Sequence, residues 1–197
     1  MIKVAVLVSG GGSNLQAMLD AKAKGDMPSC AFSLVISNKE NAYALERAEN
    51  AGVPTAVLPK CKGESATVYG EKLCQLLEAH QIDLVVLAGF LVILADNVLA
   101  SYHNRIINVH PSLLPSFGGE GFYGLKVHEC ALARGVKVTG ATVHLVNEVV
   151  DGGEILDQKA VYVQPDDTPQ TLQLRVMEQA EWVLLPKVVE RYANQLL

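Results

Sequence analysis

Hydrophobic residues run along the first half of the chain in short, nearly unbroken blocks. Ile2–Val8 is one, with Lys3 its only polar member. A block of four to eight apolar residues rich in Val and Ile marks a strand buried on both faces, as in a parallel sheet. Similar blocks recur at 32–37, 55–58, 83–88 and 106–110. Between them the apolar positions change to helical spacing. Leu15, Met18 and Leu19 share one side of a helix after the first strand. Further helices are expected at about 42–50, ended by Gly52 and Pro54, and at 66–80, 97–101 and 125–133. Two late blocks, 138–147 and 155–163, are too close together for a helical crossover and are expected to add an antiparallel component. Thr168 and Pro169 open a long C-terminal helix as N-cap and first helical residue. This alternation predicts an α/β fold. It is a single Rossmann-like, doubly wound domain over residues 1–197, with a mostly parallel sheet, an antiparallel late strand and helices on both faces.

Composition narrows the classes. Half of the 197 residues are hydrophobic and 19% are charged, the balance of a folded globular chain. The net charge is −5, from 21 acidic and 16 basic residues, and no Lys/Arg block appears. A nucleic-acid partner gripped through its phosphates is therefore not expected. No apolar run reaches the roughly 20 residues of a membrane span. The chain opens directly on a strand, without a signal-peptide cleavage pattern, so the expectation is cytoplasmic. Cys30, Cys61, Cys74 and Cys130 are scattered, with no CxxC pair, and there is no HExxH. Neither a disulfide framework nor a metal site is expected.

Candidate chemistry concentrates in three places. In the block Ile106–His110, Asn108 and His110 are two apart, so on a strand they project from one face. Pro111 then ends sheet pairing. An imidazole suits proton transfer near neutrality, and an amide N–H can stabilise a developing oxyanion. Ser9-Gly10-Gly11-Gly12-Ser13-Asn14 follows the first strand and leads into a helix. Such a turn presents backbone N–H groups to a phosphate or carboxylate. A dinucleotide site fits less well. Leu15 stands where GxGxxG needs its third glycine, and the tip of the second strand, Ser37-Asn38-Lys39, has no acid for a ribose. The third candidate is Asp151, beside Gly152 and Gly153, a turn residue unless its loop folds over His110. His80 and His103 are expected at the surface near helix ends, and His128 and His144 are taken first as structural.

These motifs occur in a known order: Ser9–Asn14, Leu87-Ala-Gly-Phe90, Asn108-Val-His110-Pro-Ser-Leu-Leu-Pro115, Val138-Thr-Gly-Ala-Thr-Val-His144 and Asp151-Gly-Gly153. Together they resemble the folate-dependent formyltransferases, and among them the phosphoribosylglycinamide formyltransferases of purine synthesis. The resemblance covers nearly the whole chain. It implies direct formyl transfer from 10-formyltetrahydrofolate to the amine of glycinamide ribonucleotide, with Asn108, His110 and Asp151 as the catalytic set. It implies Gly12, Ser13 and Asn14 at the ribonucleotide phosphate, and Glu181, placed by counting back from Pro186, at the ribonucleotide. Leu91, Val92, Ile93 and Leu94, with Asn108, would hold the folate. The partners implied are these two small molecules, with no nucleic acid, membrane or metal, in a monomer or homodimer. The chain departs from the family pattern in three places. Leu91-Val92 replaces the usual Met-Arg, Lys60-Cys61-Lys62 stands near the usual phosphate-contacting arginine, and the stretch Gly118 to Gly124 is longer and richer in glycine.

Overall fold

The computed structural model describes residues 1–197. Seven strands form one sheet in the order β3-β2-β1-β4-β5-β6-β7. They are β1 (Ile2–Val8), β2 (Cys30–Ser37), β3 (Thr55–Val57), β4 (Leu84–Leu87), β5 (Ile106–His110), β6 (Val138–Leu145) and β7 (Ile155–Tyr162). The helices are α1 (Ser13–Ala23), α2 (Tyr43–Asn50), α3 (Ala66–Ala79), α4 (Asp96–Ser101), α5 (Leu125–Arg134), α6 (Pro169–Val176) and α7 (Trp182–Gln195).

The continuous apolar strands lie in the middle of the sheet because both of their faces are covered. Val4 to Val8 of β1 are all at 0% exposure. Val4, Val6 and Val8 pack with Leu15, Met18 and Leu185 on one face, while Ala5 and Leu7 pack with Leu73 and Leu77 of α3 on the other. β1 to β5 pair in parallel. β6 runs antiparallel to both β5 and β7, as the short connection between the late blocks predicts. The winding reverses between β1 and β4, and ligands bind outside such a switch point at the carboxyl ends of the strands. The connections leaving β1, β4 and β5 all start there. No helix is long and apolar enough to cross a membrane.

The C-terminal helix departs from the sequence expectation. Thr168 caps it and Pro169 begins it as expected, with Thr171 completing a capping box. It is not one continuous helix, however. Met177–Glu181 form a π turn, in which the Trp182 N–H donates to the Met177 carbonyl five residues back. The extra residue turns the following side chains by about 100° relative to an unbroken α-helix. Downstream, Pro186 lies inside α7, where it has no N–H for the helix ladder.

Candidate active site

Asn108 and His110 at the end of β5 line a cavity of about 750 Å³. One wall is Gly10–Asn14, another is Ala88 to Leu91 with Ile93, and a third is Gly119 to Gly124. Val150 and Asp151, from the connection after β6, fold back against it, and Glu181 reaches it from the π turn. No group of three His, Cys, Asp or Glu side chains is placed to hold a metal ion.

His110 is 4% exposed. Its Nε2 is 2.7 Å from the Phe117 carbonyl oxygen. A carbonyl only accepts, so Nε2 carries a proton and donates it there. Nδ1 is 3.4 Å from Asp151 Oδ2, an ion pair when the ring is protonated. Burial pushes the imidazole pKa down. The Asp151 charge and the Phe117 bond pull it up, the His144 charge opposes them, and the balance stays below the ordinary value. For Asp151 burial raises the pKa, but the contacts with His144, the Gly119 amide and His110 more than reverse this. Asp151 is thus a carboxylate through the neutral range. Its backbone has φ 56°, a left-handed conformation uncommon outside glycine. Gly153 fixes the end of that turn, because a Cβ there would fall on the Leu145 carbonyl.

His144 belongs to this cluster, contrary to the sequence expectation. Antiparallel pairing sets it opposite Asn108, and the neighbouring pair sets Thr142 opposite His110. His144 Nδ1 lies 2.8 Å from the Leu145 carbonyl, so Nδ1 holds the proton. Nε2 then accepts from Asn108 Nδ2 at 3.0 Å. These partners assign the tautomer and the amide orientation. Thr142 secures the turn after β5. Its Oγ1 donates to the Ser112 carbonyl and accepts from the Leu114 N–H. Neither residue type announces such a role in sequence; only the β5–β6 register brings them to the site. The loop 117–124 adds a backbone clamp, for Phe117 offers its carbonyl to His110 and Gly119 its N–H to Asp151 Oδ2 at 2.9 Å.

The remaining expected residues divide. Gly12, Ser13 and Asn14 line the cavity at the start of α1, where Gly12 is an N-cap with no side-chain cap. The Asn14 side chain turns to Glu181, donating to Oε2 at 2.6 Å. Glu181 is 7% exposed, and burial raises its pKa while the Asn14 bond lowers it. Leu91 and Ile93 stand at the cavity with 53% and 61% exposure. Leu94 is instead part of the core beneath, beside Leu87 and Val98, and Val92 is not among the lining residues. Ser9 was not expected. Its buried Oγ donates to Asn38 Oδ1 at 2.6 Å and accepts the Leu91 N–H at 2.9 Å, joining the β1 and β4 connections.

His128 lies on α5 at 0% exposure with neither ring nitrogen partnered. Burial, then the charge on His110, hold its pKa down to about 4. The unfolded side chain titrates near 6.5. Between those values the unfolded chain binds more protons, so this histidine's stabilising contribution is complete above pH 6.5 and falls away as pH drops toward 4. His128→Leu is expected to reduce the loss of stability between pH 7 and pH 5 by about 1–2 kcal/mol. Urea unfolding at both pH values measures it, and an unchanged difference would contradict the assignment.

Comparisons with known proteins bear on the family and the fold. The formyl transferase family model matches residues 2–189. The phosphoribosylglycinamide formyltransferase of Haemophilus influenzae is 38% identical over 194 residues, covering 98% of this chain and 88% of that protein. The chloroplastic phosphoribosylglycinamide formyltransferase of Vigna unguiculata is also 38% identical, over 193 residues and 98% of this chain. Here the chain spans 61% of the relative's length. The crystal structure of glycinamide ribonucleotide transformylase 1 from Symbiobacterium toebii superposes with a TM-score of 0.92 at 40% identity, covering 99% of this chain and 89% of that one. A family match over nearly all its residues, on the same fold, means that the chain belongs to the formyl transferase family.

Proposed function

We propose that residues 1–197 act as one unit that transfers the formyl group of 10-formyltetrahydrofolate to the amine of glycinamide ribonucleotide, a step of purine (IMP) biosynthesis. The observation that carries this reading is the convergence of Asn108 and the His110–Asp151 pair on one cavity whose two ends differ in chemistry. At one end is the uncapped start of α1 with free backbone donors, suited to a phosphate. At the other, Leu91, Ile93 and Val150 leave apolar side chains exposed beside Asn108, suited to a flat heterocycle.

The roles follow from the atoms available. Amides of Gly12, Ser13 and Asn14 take the phosphate, and Glu181, held by Asn14, faces the ribose hydroxyls. Leu91 and Ile93 cover the folate ring, with backbone groups of the 91–94 stretch as its polar partners. The substrate amine attacks the formyl carbon, a new N–C bond forms, and the C–N bond to the folate breaks. One Asn108 N–H is committed to His144, which leaves the other for the developing oxyanion. His110 Nε2 already donates to Phe117, so in the neutral ring Nδ1 is open; its part is to take up a proton there during transfer, with Asp151 beside it to stabilise the imidazolium. The amine releases a proton and the leaving nitrogen gains one; the His110–Asp151 pair carries it, through water.

Mixing the pure protein with glycinamide ribonucleotide and 10-formyltetrahydrofolate tests the reading. Acceptor-dependent loss of the formyl folate absorbance is expected. Loss that ignores the acceptor would mean hydrolysis, and no loss would remove the enzyme reading.

Ser9→Ala gives a narrower expectation. It strips the Leu91 amide of its partner without touching Asn108 or His110. The KM for the folate should rise by roughly three- to ten-fold, with kcat at saturation little changed. Steady-state kinetics in both substrates decide; a loss confined to kcat would refute the link.

A further inference from the structure

We propose that Arg47 is the positioning residue of the phosphate site: from behind the glycine loop it turns the Gly12 amide toward the cavity. This inference rests on the ribonucleotide reading above and adds a residue that tunes affinity for one of the two substrates.

Arg47 is on α2, in the turn that ends it, and does not line the main cavity. Its Nε donates to the Gly11 carbonyl at 2.8 Å. Nη1 donates to Gln16 Oε1 at 2.9 Å, and the guanidinium covers the Tyr43 ring, 4.8 Å from its centroid. One turn earlier, the Ala44 N–H donates to the Gly10 carbonyl at 3.0 Å. Helix α2 therefore holds two successive carbonyls of the loop.

A planar trans peptide points its C=O and its N–H in opposite directions. The Gly10 carbonyl shares its peptide with the Gly11 N–H, and the Gly11 carbonyl with the Gly12 N–H. Drawing both oxygens to α2 aims both N–H groups away from it, toward the cavity that Gly11 and Gly12 line. The Gly12 carbonyl is engaged as well, by the Gln16 N–H at 2.9 Å. The amides of Gly11, Gly12 and Ser13 donate to no group of the protein.

The loop and α2 are in tight contact. Gly12 has φ 70°, and a Cβ on it would lie 2.5 Å from Ala44 Cβ. A shift at Arg47 therefore passes directly into the loop. Of the two anchors, the Ala44 bond is main chain; Arg47 is the one set by a side chain. It is also the only Lys or Arg that hydrogen-bonds to the Ser9–Asn14 segment. Lys60 and Lys62, expected near the phosphate, make no hydrogen bond to it. The positive charge behind the loop favours an anion in front of it, and the charge-assisted bond to Gly11 fixes the geometry. A lysine cannot copy the pair of bonds that Nε and Nη1 make from one rigid plane.

Arg47→Met in the full chain removes the bond and keeps the aliphatic stem. The KM for glycinamide ribonucleotide should rise about ten-fold, with kcat and the folate KM within about two-fold of wild type. Inorganic phosphate provides a second readout that does not depend on turnover. In the wild type it should shift the amide resonances of Gly11, Gly12 and Ser13, and in Arg47→Met that binding should weaken about ten-fold. Should the Met variant misfold, Arg47→Lys carries the same test. A variant whose ribonucleotide KM and phosphate affinity both stay within about two-fold of wild type overturns the role of Arg47. Wild-type protein that shows the phosphate response, lost in the variant, but no formyl transfer keeps the role and removes the ribonucleotide reading. Wild-type amides that ignore phosphate overturn the role of Arg47, whatever the formyl-transfer assay shows.

Discussion

Replacing His110 with alanine is expected to lower kcat by roughly 10² to 10⁴, the usual contribution of a positioned proton-transfer group. Two imidazoles lie against Asp151, His110 through Nδ1 at 3.4 Å and His144 through Nε2 at 3.6 Å, and of the two only His110 lines the cavity. Its loss leaves Asp151 without that neighbouring imidazole and the Phe117 carbonyl without its donor. The variant should also lose some stability, so a thermal melt must accompany the kinetics. The pH profile separates chemistry from folding. Burial holds the His110 pKa below its ordinary value, so the ring charges on the acid side of neutrality. The acid limb of kcat/KM should lie in that range and should be missing from the residual activity of His110→Ala. A folded variant with near wild-type turnover would end the assignment.

Asn108→Ala is expected to cost about 10² to 10³ in kcat, the loss typical of one oxyanion donor. The substrate KM values should change little, because the donor matters when charge develops on the formyl oxygen. Asn108→Asp is the sharper variant. It keeps the shape but turns an acceptor toward that oxygen and places a second carboxylate near Asp151. It should be no more active than alanine. Recovery of activity in the Asp variant would show that position 108 only fills space.

Parts of this arrangement are readable from the chain and parts are not. The Ile106–His110 strand and the Thr168 cap match because burial on both faces and capping chemistry are local. The spacing of Asn108 and His110 likewise fixes their common face. His144 could not be placed that way, since its contact depends on the register between two antiparallel strands. The π turn also escapes sequence reading, because i→i+5 bonding leaves the hydrophobic periodicity of Leu172, Val176 and Ala180 nearly intact. The Leu94 side chain lies in the core and not at the cavity, and an apolar stretch in a loop does not reveal which side chains face inward. The Phe117 and Gly119 contacts are main-chain groups, and residue identity carries no record of them.

The clamp on His110 and Asp151 uses a carbonyl and an amide, which survive substitution at the non-glycine positions 120, 122 and 123 so long as the glycines of the loop keep its backbone path. The side chains of Glu120, Phe122 and Tyr123, which also line the cavity, are relieved of that duty. Selection can therefore alter what this loop presents to a bound molecule while the reacting groups stay in register, so substrate preference and chemistry are inherited separately.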